Sequence, residues 1–308
     1  MRLLANSIGI LLIPAVLLLA GCCGSSCVAD FDDHSAYRSE FDQTYALQPG
    51  GTASVRNVDG YVKVIPWDRN EVGFKGVLKV RAGSEEEARR LAKDIKVIVS
   101  HDDKSFSVEV KRTGKARWVH WGIGHSWALD IDLNVPRQCN VDVETVDGSI
   151  EVSGLEGKVD AASTDGSVNV ADVRGDVHCT MVDGSCELTN VDGAVDANAT
   201  DGSLNINGKI LGLNAHTVDG SVHITALEGS TDAEGWRVGT VDGSVTMTLP
   251  KSLSFDLEAS SVDGNIYVSG PAKFVSRSHH RVVATLGEGG SPLSVRTTEG
   301  SITVEFEE

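Results

Sequence analysis

The stretch Asp147-Gly148-Ser149-Ile150-Glu151-Val152 decides the fold, because it returns four more times: Asp165-Gly166-Ser167-Val168-Asn169-Val170, Asp183-Gly184-Ser185-Cys186-Glu187-Leu188, Asp201-Gly202-Ser203-Leu204-Asn205-Ile206 and Asp219-Gly220-Ser221-Val222-His223-Ile224. Each Asp-Gly pair follows the last by 18 residues. Glycine also marks the half-period at Gly157, Gly175, Gly193 and Gly229, lapsing only at Leu211, with Gly212 beside it. Register this strict is the mark of a stacked repeat. Behind each Asp-Gly-Ser the chain alternates apolar and polar residues, the period of a half-buried strand. The other half-repeat does the same through Val159 and Ala161, Val177 and Cys179, and Val195 and Ala197. One coil is therefore two short strands and two glycine turns. A hairpin meander also uses Asp-Gly turns, but nothing obliges it to hold their spacing. Stacked coils must, because each residue sits over its equivalent about 4.8 Å away. The expected fold is mainly β: a two-sided β-solenoid, or β-helix, of about 18 residues per coil.

Later copies at Asp242-Gly243 and Asp263-Gly264 come after 23 and 21 residues, and Glu299-Gly300 comes 36 after that, two turns of 18. Insertions loosen the end of the array. Inward positions hold mainly Val and Ala, which suits a thin core. Cys186 takes the inward slot of Ile150, Val168 and Leu204, and Cys179 that of Ala161 and Ala197. Folding the coil about Asp183-Gly184 sets Cys186 opposite Met181 and leaves Cys179 diagonally offset, so both are expected as core thiols, with a disulfide clasp the less favoured reading.

Stacking sets Asp147, Asp165, Asp183, Asp201 and Asp219 in one column at roughly 5 Å steps. Like charges at that spacing repel by ~1 kcal/mol in water and more where the dielectric is lower. Two readings answer this. In one, each carboxylate accepts N–H groups of its own turn, glycine takes the positive φ, and the column faces solvent. In the other, the column binds calcium, as nonapeptide β-rolls do. Those repeats supply several carbonyls and a carboxylate per loop, whereas one Asp-Gly-Ser per coil is a poor donor set. The turn role is favoured, with no metal and no cofactor.

From Phe41 to about Pro136 the period of 18 disappears, and a small α+β cap with one helix is expected, so the body divides at 41–136 and 137–308. Asn57-Val58-Asp59-Gly60-Tyr61 is an outlying copy of the repeat, followed by an expected strand from Val72 to Val80. Ser84-Glu85-Glu86-Glu87 is a capping box opening a helix through about Lys96. Strands are expected at Val97 to Val99, Phe106 to Val110 and Ala128 to Val135. Between the last two lies Arg117 to Trp127, with three of the five tryptophans. Trp118, His120, Trp121, His125 and Trp127 either form an exposed contact loop for a sugar, membrane or partner surface or pack the cap onto the first coil; packing is favoured.

Residues 1–21 have a short basic start, a broken apolar run and the ending Leu19-Ala20-Gly21-Cys22, and so read as an export signal. The ending resembles the bacterial lipobox, which implies cleavage before Cys22 and acyl chains on that residue, an anchor without a spanning helix. Residues 22–40 lack apolar periodicity and read as a tether. With Cys23 rather than Asp after the anchor, an outer-membrane address is favoured over the inner. Removing Arg2 takes the 27 Lys plus Arg to 26 against 44 Asp plus Glu, a net charge of −18 for the mature chain. No basic face is available to a nucleic acid.

The Asp-Gly repeat, the strand–helix–strand front with its Ser84 capping box and Leu133-Asn134-Val135-Pro136, and the phrase from Leu249-Pro250-Lys251-Ser252 to Ser261-Val262-Asp263-Gly264-Asn265-Ile266 together resemble the bacterial putative-adhesin family of domains of unknown function. Leu286-Gly287-Glu288-Gly289 and Thr298-Glu299-Gly300-Ser301-Ile302-Thr303-Val304 resemble its last coil. The resemblance covers residues 50 to 308. It implies a solenoid on an envelope protein and, by its name, adhesion; it supplies no site residues.

Three function classes follow. An envelope-anchored binding module, recognising a glycan or protein, is favoured. A spacer or sensing rod that binds nothing is the second. A β-helix enzyme acting on polysaccharide is the third and is disfavoured: no Gly-x-Ser-x-Gly elbow, His-Glu-x-x-His helix or phosphate loop occurs, and short coils leave little room for a cleft.

Overall fold

A computed structural model describes residues 36–113, 125–231 and 235–307, with the backbone course of 9–13. Among the described residues the protein is mainly β with one helix, and the strands belong to a single hydrogen-bonded network. The alternation visible in the sequence is the alternation of burial. Cys139–Asp147 and Val159–Asp165 bury every second side chain as far as Thr145 and Ser163, and the short strands Ile150–Ser153 and Val168–Ala171 alternate throughout.

Pairing is parallel and runs from repeat to repeat. Asp160 lies opposite Asp142 on one side and His178 on the other. Ile150, Val168 and Cys186 form a second parallel row. Each partner is one repeat earlier or later in the chain. The residues 51–67, with Asp59-Gly60, join the same stack: Ser54 pairs with Asp142, Val62 with Ile150, and Asp59 bridges to Asp147. The outlying copy of the repeat is thus continuous with the others.

Antiparallel strands close both ends. At the front, Gly51–Arg56 pairs in parallel with Ser105–Arg112, which turns back antiparallel on Ile95–His101. Val62–Trp67 pairs in parallel with Ser126–Pro136, followed antiparallel by Glu71–Arg81 and then Ala36–Ala46. Gly9–Ile13, within the expected leader, runs antiparallel along Ile95–His101. The helix Glu85–Ala92 starts as its capping box requires, Ser84 Oγ accepting the Glu87 N–H at 3.2 Å. It ends before Lys96 because Ile95, Val97 and Val99 are buried in strand alternation, and burying that apolar row outweighs another helical turn.

The far end departs from chain order. Trp236–Gly239 pairs with Pro292–Glu299, and Val245–Leu249 with Ile302–Phe306. The same last strands pair on their outer side with Phe255–Asp263 and Ile266–Val268. The final repeat of the chain is therefore inserted between two earlier ones, and Glu299-Gly300 lies beside both Asp242 and Asp263. The hairpin Ala272–Arg277 with Arg281–Leu286 makes the detour and covers the last parallel strand antiparallel. That removes an open parallel edge.

One apolar core runs from Phe41 to Val304. Its middle is thin, filled by Val, Ala and Cys; its bulk lies at the ends, with Phe74 and Phe106 at one and Trp236 packed on Phe255, ring centroids 5.0 Å apart, at the other.

The Asp-Gly edge explains itself by close approach. A Cβ on Gly166 would run into the Gly148 carbonyl, one on Gly184 into Gly166, and one on Gly220 into Gly202. Gly243, Gly300 and Gly264 continue the series in spatial order. Glycine is needed there for a stacking distance, as well as for its φ of +152° at Gly166 and +132° at Gly184. Three residues before most of these glycines sits a buried hydroxyl. Ser163 Oγ donates to the Gly148 carbonyl at 3.2 Å, Thr217 to Gly202 at 3.0 Å, Thr240 to Gly220 at 2.9 Å, Thr297 to Gly243 at 3.0 Å and Ser261 to Gly300 at 3.0 Å. Met181 and Ala199 hold that slot in the two middle repeats and supply no hydroxyl. The aspartates of the column are exposed, except the half-buried Asp59. Burial, then the neighbouring Asp147, pushes the Asp59 carboxyl above the ordinary value of 3.8.

Candidate functional site

The flank formed by the first half-repeats carries a concavity, and two columns of residues make it. One lies a residue before the buried Val159, Val177, Val195, Leu213 and Trp236: it runs Lys158, Asp176, Ala194, Gly212, Gly235. Side chains shrink along this column until none is left, so the surface sinks. The next outward column, Asp160, His178, Asp196, Asn214 and Arg237, stands beside the depression as its wall. The result is an open trough of about 450 Å³.

Gly212 shows that the depression is not forced by the fold. Its backbone lies outside the positive-φ region, and a Cβ there would meet only the Ala194 Cβ at 3.7 Å. That is ordinary contact, unlike the Asp-Gly column. Beyond Asn214 and Arg237 the trough continues into a second depression of about 320 Å³, lined by His216, Gly239, Ser294 and Arg296. Five strand steps from Asp160 to Ser294 span about 24 Å.

The wall is held in place by its own hydrogen bonds. Asp196 sits at the centre: Oδ1 accepts from Asn214 Nδ2 at 2.8 Å and from Asn198 Nδ2 at 2.9 Å, and Oδ2 lies 3.2 Å from His178 Nδ1. His178 Nε2 is 3.2 Å from Thr180 Oγ1. Lys158 Nζ lies 2.9 Å from Asp160, and this hydrogen bond raises the lysine pKa above its usual value. Asp176 Oδ1 accepts the Ala194 N–H at 3.0 Å. The two ends of the trough differ in charge: Asp160, Asp176 and Asp196, with Lys158, stand at one, and Arg237 and Arg296 at the other. Arg237 and Arg296 are exposed, and among the described residues neither guanidinium has an ion-pair partner. In a chain of net charge −17, two uncompensated arginines on one wall are a distinctive feature. Chemically the trough offers hydrogen bonds to a row of hydroxyls or amides and a charge-assisted clamp for a carboxylate. Thr180, His178 and Asp196 line up as hydroxyl, imidazole and carboxylate on the exposed wall, and no three His, Cys, Asp or Glu side chains of the described residues are placed to hold a metal ion.

The residues singled out in sequence do not converge on this trough. Cys22, Trp118, His120 and Trp121 lie outside the described residues. Trp127 is in the strand Ser126–Pro136, half-buried against the core opposite Val80. His125 is half-buried with Nε2 3.5 Å from Glu87. Sequence reasoning missed the trough because its signal is a loss of side chains in one column, and a column exists only once strands are aligned. The pattern Lys158, Asp176, Ala194, Gly212 at the 18-residue spacing was the available clue.

The expected offset of Cys179 from Cys186 is also corrected. Their sulfurs are 2.6 Å apart in the core. The two half-repeats pair with neighbouring repeats rather than with each other as a hairpin, so their inward side chains meet across the core and hairpin register does not apply.

Comparison with known proteins places the repeat in a family. The Toastrack DUF4097 model matches residues 128–235 and again 194–305, together more than half of the chain. No curated protein matches it in sequence. Among solved structures it is similar to a "putative lipid binding protein" from Parabacteroides distasonis, with 9% identity, TM-score 0.46 and coverage of 88% of this chain and 97% of that one. It is similar also to a "putative adhesin" from the same species, with 12% identity, TM-score 0.37 and coverage of 89% and 98%. A "putative cell adhesion protein" from Clostridium sporogenes aligns at 13% identity and TM-score 0.26, over 87% of this chain and all of that one.

Proposed function

We propose, for a chain that belongs to the Toastrack DUF4097 family, that it is a non-enzymatic binding module of the cell envelope, built as a two-sided β-solenoid of about 18 residues per coil. In this reading Cys22 carries the lipid anchor, and the flank trough holds an extended polar ligand, a glycan chain. The parallel register of Val141, Val159 and Val177 supports the solenoid. The trough supports binding, and the single observation that carries it is Gly212: its φ does not call for glycine, and a Cβ there would make only an ordinary contact. A spacer that binds nothing has no use for a depression beside a wall of oriented Asp, His and Asn. Openness and length suit a polymer lying across several strands better than a small molecule, which is ordinarily enclosed. The bare Arg237 and Arg296 favour a polymer bearing carboxylates.

The test is retention of the full chain on immobilised carboxylated polysaccharide, neutral polysaccharide and peptidoglycan, compared with Gly212→Leu. The variant adds a side chain at the floor of the trough. Binding of a glycan by the native chain, weakened tenfold or more in Gly212→Leu at unchanged melting temperature, is expected. Binding that Gly212→Leu leaves intact, or no binding to any of the three, overturns the reading.

A further inference from the structure

The geometry points to a disulfide between Cys179 and Cys186, closed across the core of a single repeat as the chain folds. The two sulfurs sit 2.6 Å apart, closer than unbonded sulfurs rest and about half an ångström from the ~2.05 Å of the bond. A small adjustment of the side-chain torsions completes it. Both residues are fully buried, on strands that belong to different rows of the stack. Cys179 stands in a column with Ala161, and Cys186 in a column with Val168. Both columns therefore change to cysteine in the same repeat and at facing positions. Cys139, the other described thiol of the core, has no such partner; burial pushes it up to about 12.

The location gives the bond a purpose. In this repeat Met181 replaces the hydroxyl that elsewhere ties a strand to the glycine carbonyl of the preceding repeat. The sulfur bond supplies a tie where that one is missing. It also fixes the strand bearing His178 and Thr180, part of the trough wall, to the opposite side of the core. The inference stands independently of what the trough binds.

The chemistry requires an oxidant, here a disulfide of a thiol compound or oxidoreductase. One cysteine thiolate attacks that disulfide, forming a mixed disulfide and expelling one thiolate. The second cysteine then displaces the remaining one, so the protein sulfurs are oxidised, two external thiols are produced, and the two protons leave with them. Once the core has closed, the hydrogen bond to Cys179 and burial push the Cys186 thiol well above its usual value, suppressing the attacking thiolate. The bond therefore forms before the core closes and resists reduction afterwards.

The experiment refolds the full reduced chain in a mixture of oxidised and reduced glutathione, unfolds it in iodoacetamide without reductant and maps the peptides. Cys139 alkylated, with Cys179 and Cys186 unlabelled and joined in one species two hydrogens lighter, is expected. Both alkylated, or either joined to Cys139, overturns the inference. The oxidised chain should melt about 5 °C above the same chain refolded in reductant. That difference should vanish in Cys179→Ala, where Cys186 becomes alkylated; a difference that persists also overturns it.

Discussion

The Asp-Gly edge and the trough flank share one backbone period and obey opposite rules. At the edge, residues repeat because each is held against its own equivalent: a glycine Cβ would strike the carbonyl of the repeat before it, and a buried hydroxyl donates to that same carbonyl. On the flank the period fixes only where a side chain points. Its identity changes from Asp160 to His178 to Asp196 to Asn214 to Arg237. What repeats builds the scaffold; what fails to repeat at a periodic position is free to carry recognition.

The sharpest way to break this contrast is to add the same methyl group on both sides. Gly184→Ala has to drive Gly184 away from Gly166 while holding a φ of +132°. A cost of about 3 kcal/mol or more is expected, enough to disrupt the stack in some conditions. Gly212→Ala, with ordinary φ and open space, should instead be neutral or stabilise by up to about 1 kcal/mol through the unfolded chain. Urea midpoints of the two variants measure both. Similar losses at the two positions would mean that the flank is as constrained as the edge.

Between these extremes lies the hydroxyl column. Thr217→Val keeps the shape and removes the donor to Gly202, so a loss of about 1–2 kcal/mol is expected from the buried carbonyl left short of a partner. Ala199→Ser, which offers a hydroxyl to a repeat that has none, should regain part of one such bond, by up to about 1 kcal/mol. If Thr217→Val is silent in urea unfolding, the column is incidental to stability. Thr145 marks a boundary of this rule, since its buried Oγ1 has no hydrogen-bond partner.

How much of this was legible follows from the same contrast. The 18-residue spacing and the strand alternation are properties of one line of residues, so they survive in a sequence. Ser84 with Glu87 is local too, and the helix starts where the pair requires. The hydroxyl three residues before each glycine is visible in Ser163 and Thr217, but its meaning is not: it could be a polar strand position until the carbonyl it faces is known. The inserted last repeat escaped altogether, because a gap of 36 residues from Gly264 to Gly300 fits two turns of 18 as well as it fits a detour. Only the pairing of Val295 with both Val238 and Ala259 distinguishes them. Trp127 was conspicuous for composition, and composition does not say that a strand will press it against Val80.

The smallest effect belongs to the one aspartate of the column that is not fully exposed. Asp59 is half-buried, and burial together with Asp147 and Asp130 raises its carboxyl above 3.8 in the folded chain. A raised folded value means that the protonated form is the one the fold tolerates. Its contribution to stability is therefore fully present below the unfolded value and is lost as pH rises through the higher folded value. Asp59→Asn removes the charge and keeps the size and shape of the side chain. The variant should match the native chain near pH 3, where Asp59 is neutral anyway, and exceed it slightly in urea midpoint at pH 7. Asp219→Asn removes a charge from an exposed member of the same column and is the comparison. An equal gain in both would make repulsion along the whole column the cause, and an Asp59→Asn difference independent of pH would remove the carboxyl's titration from the explanation.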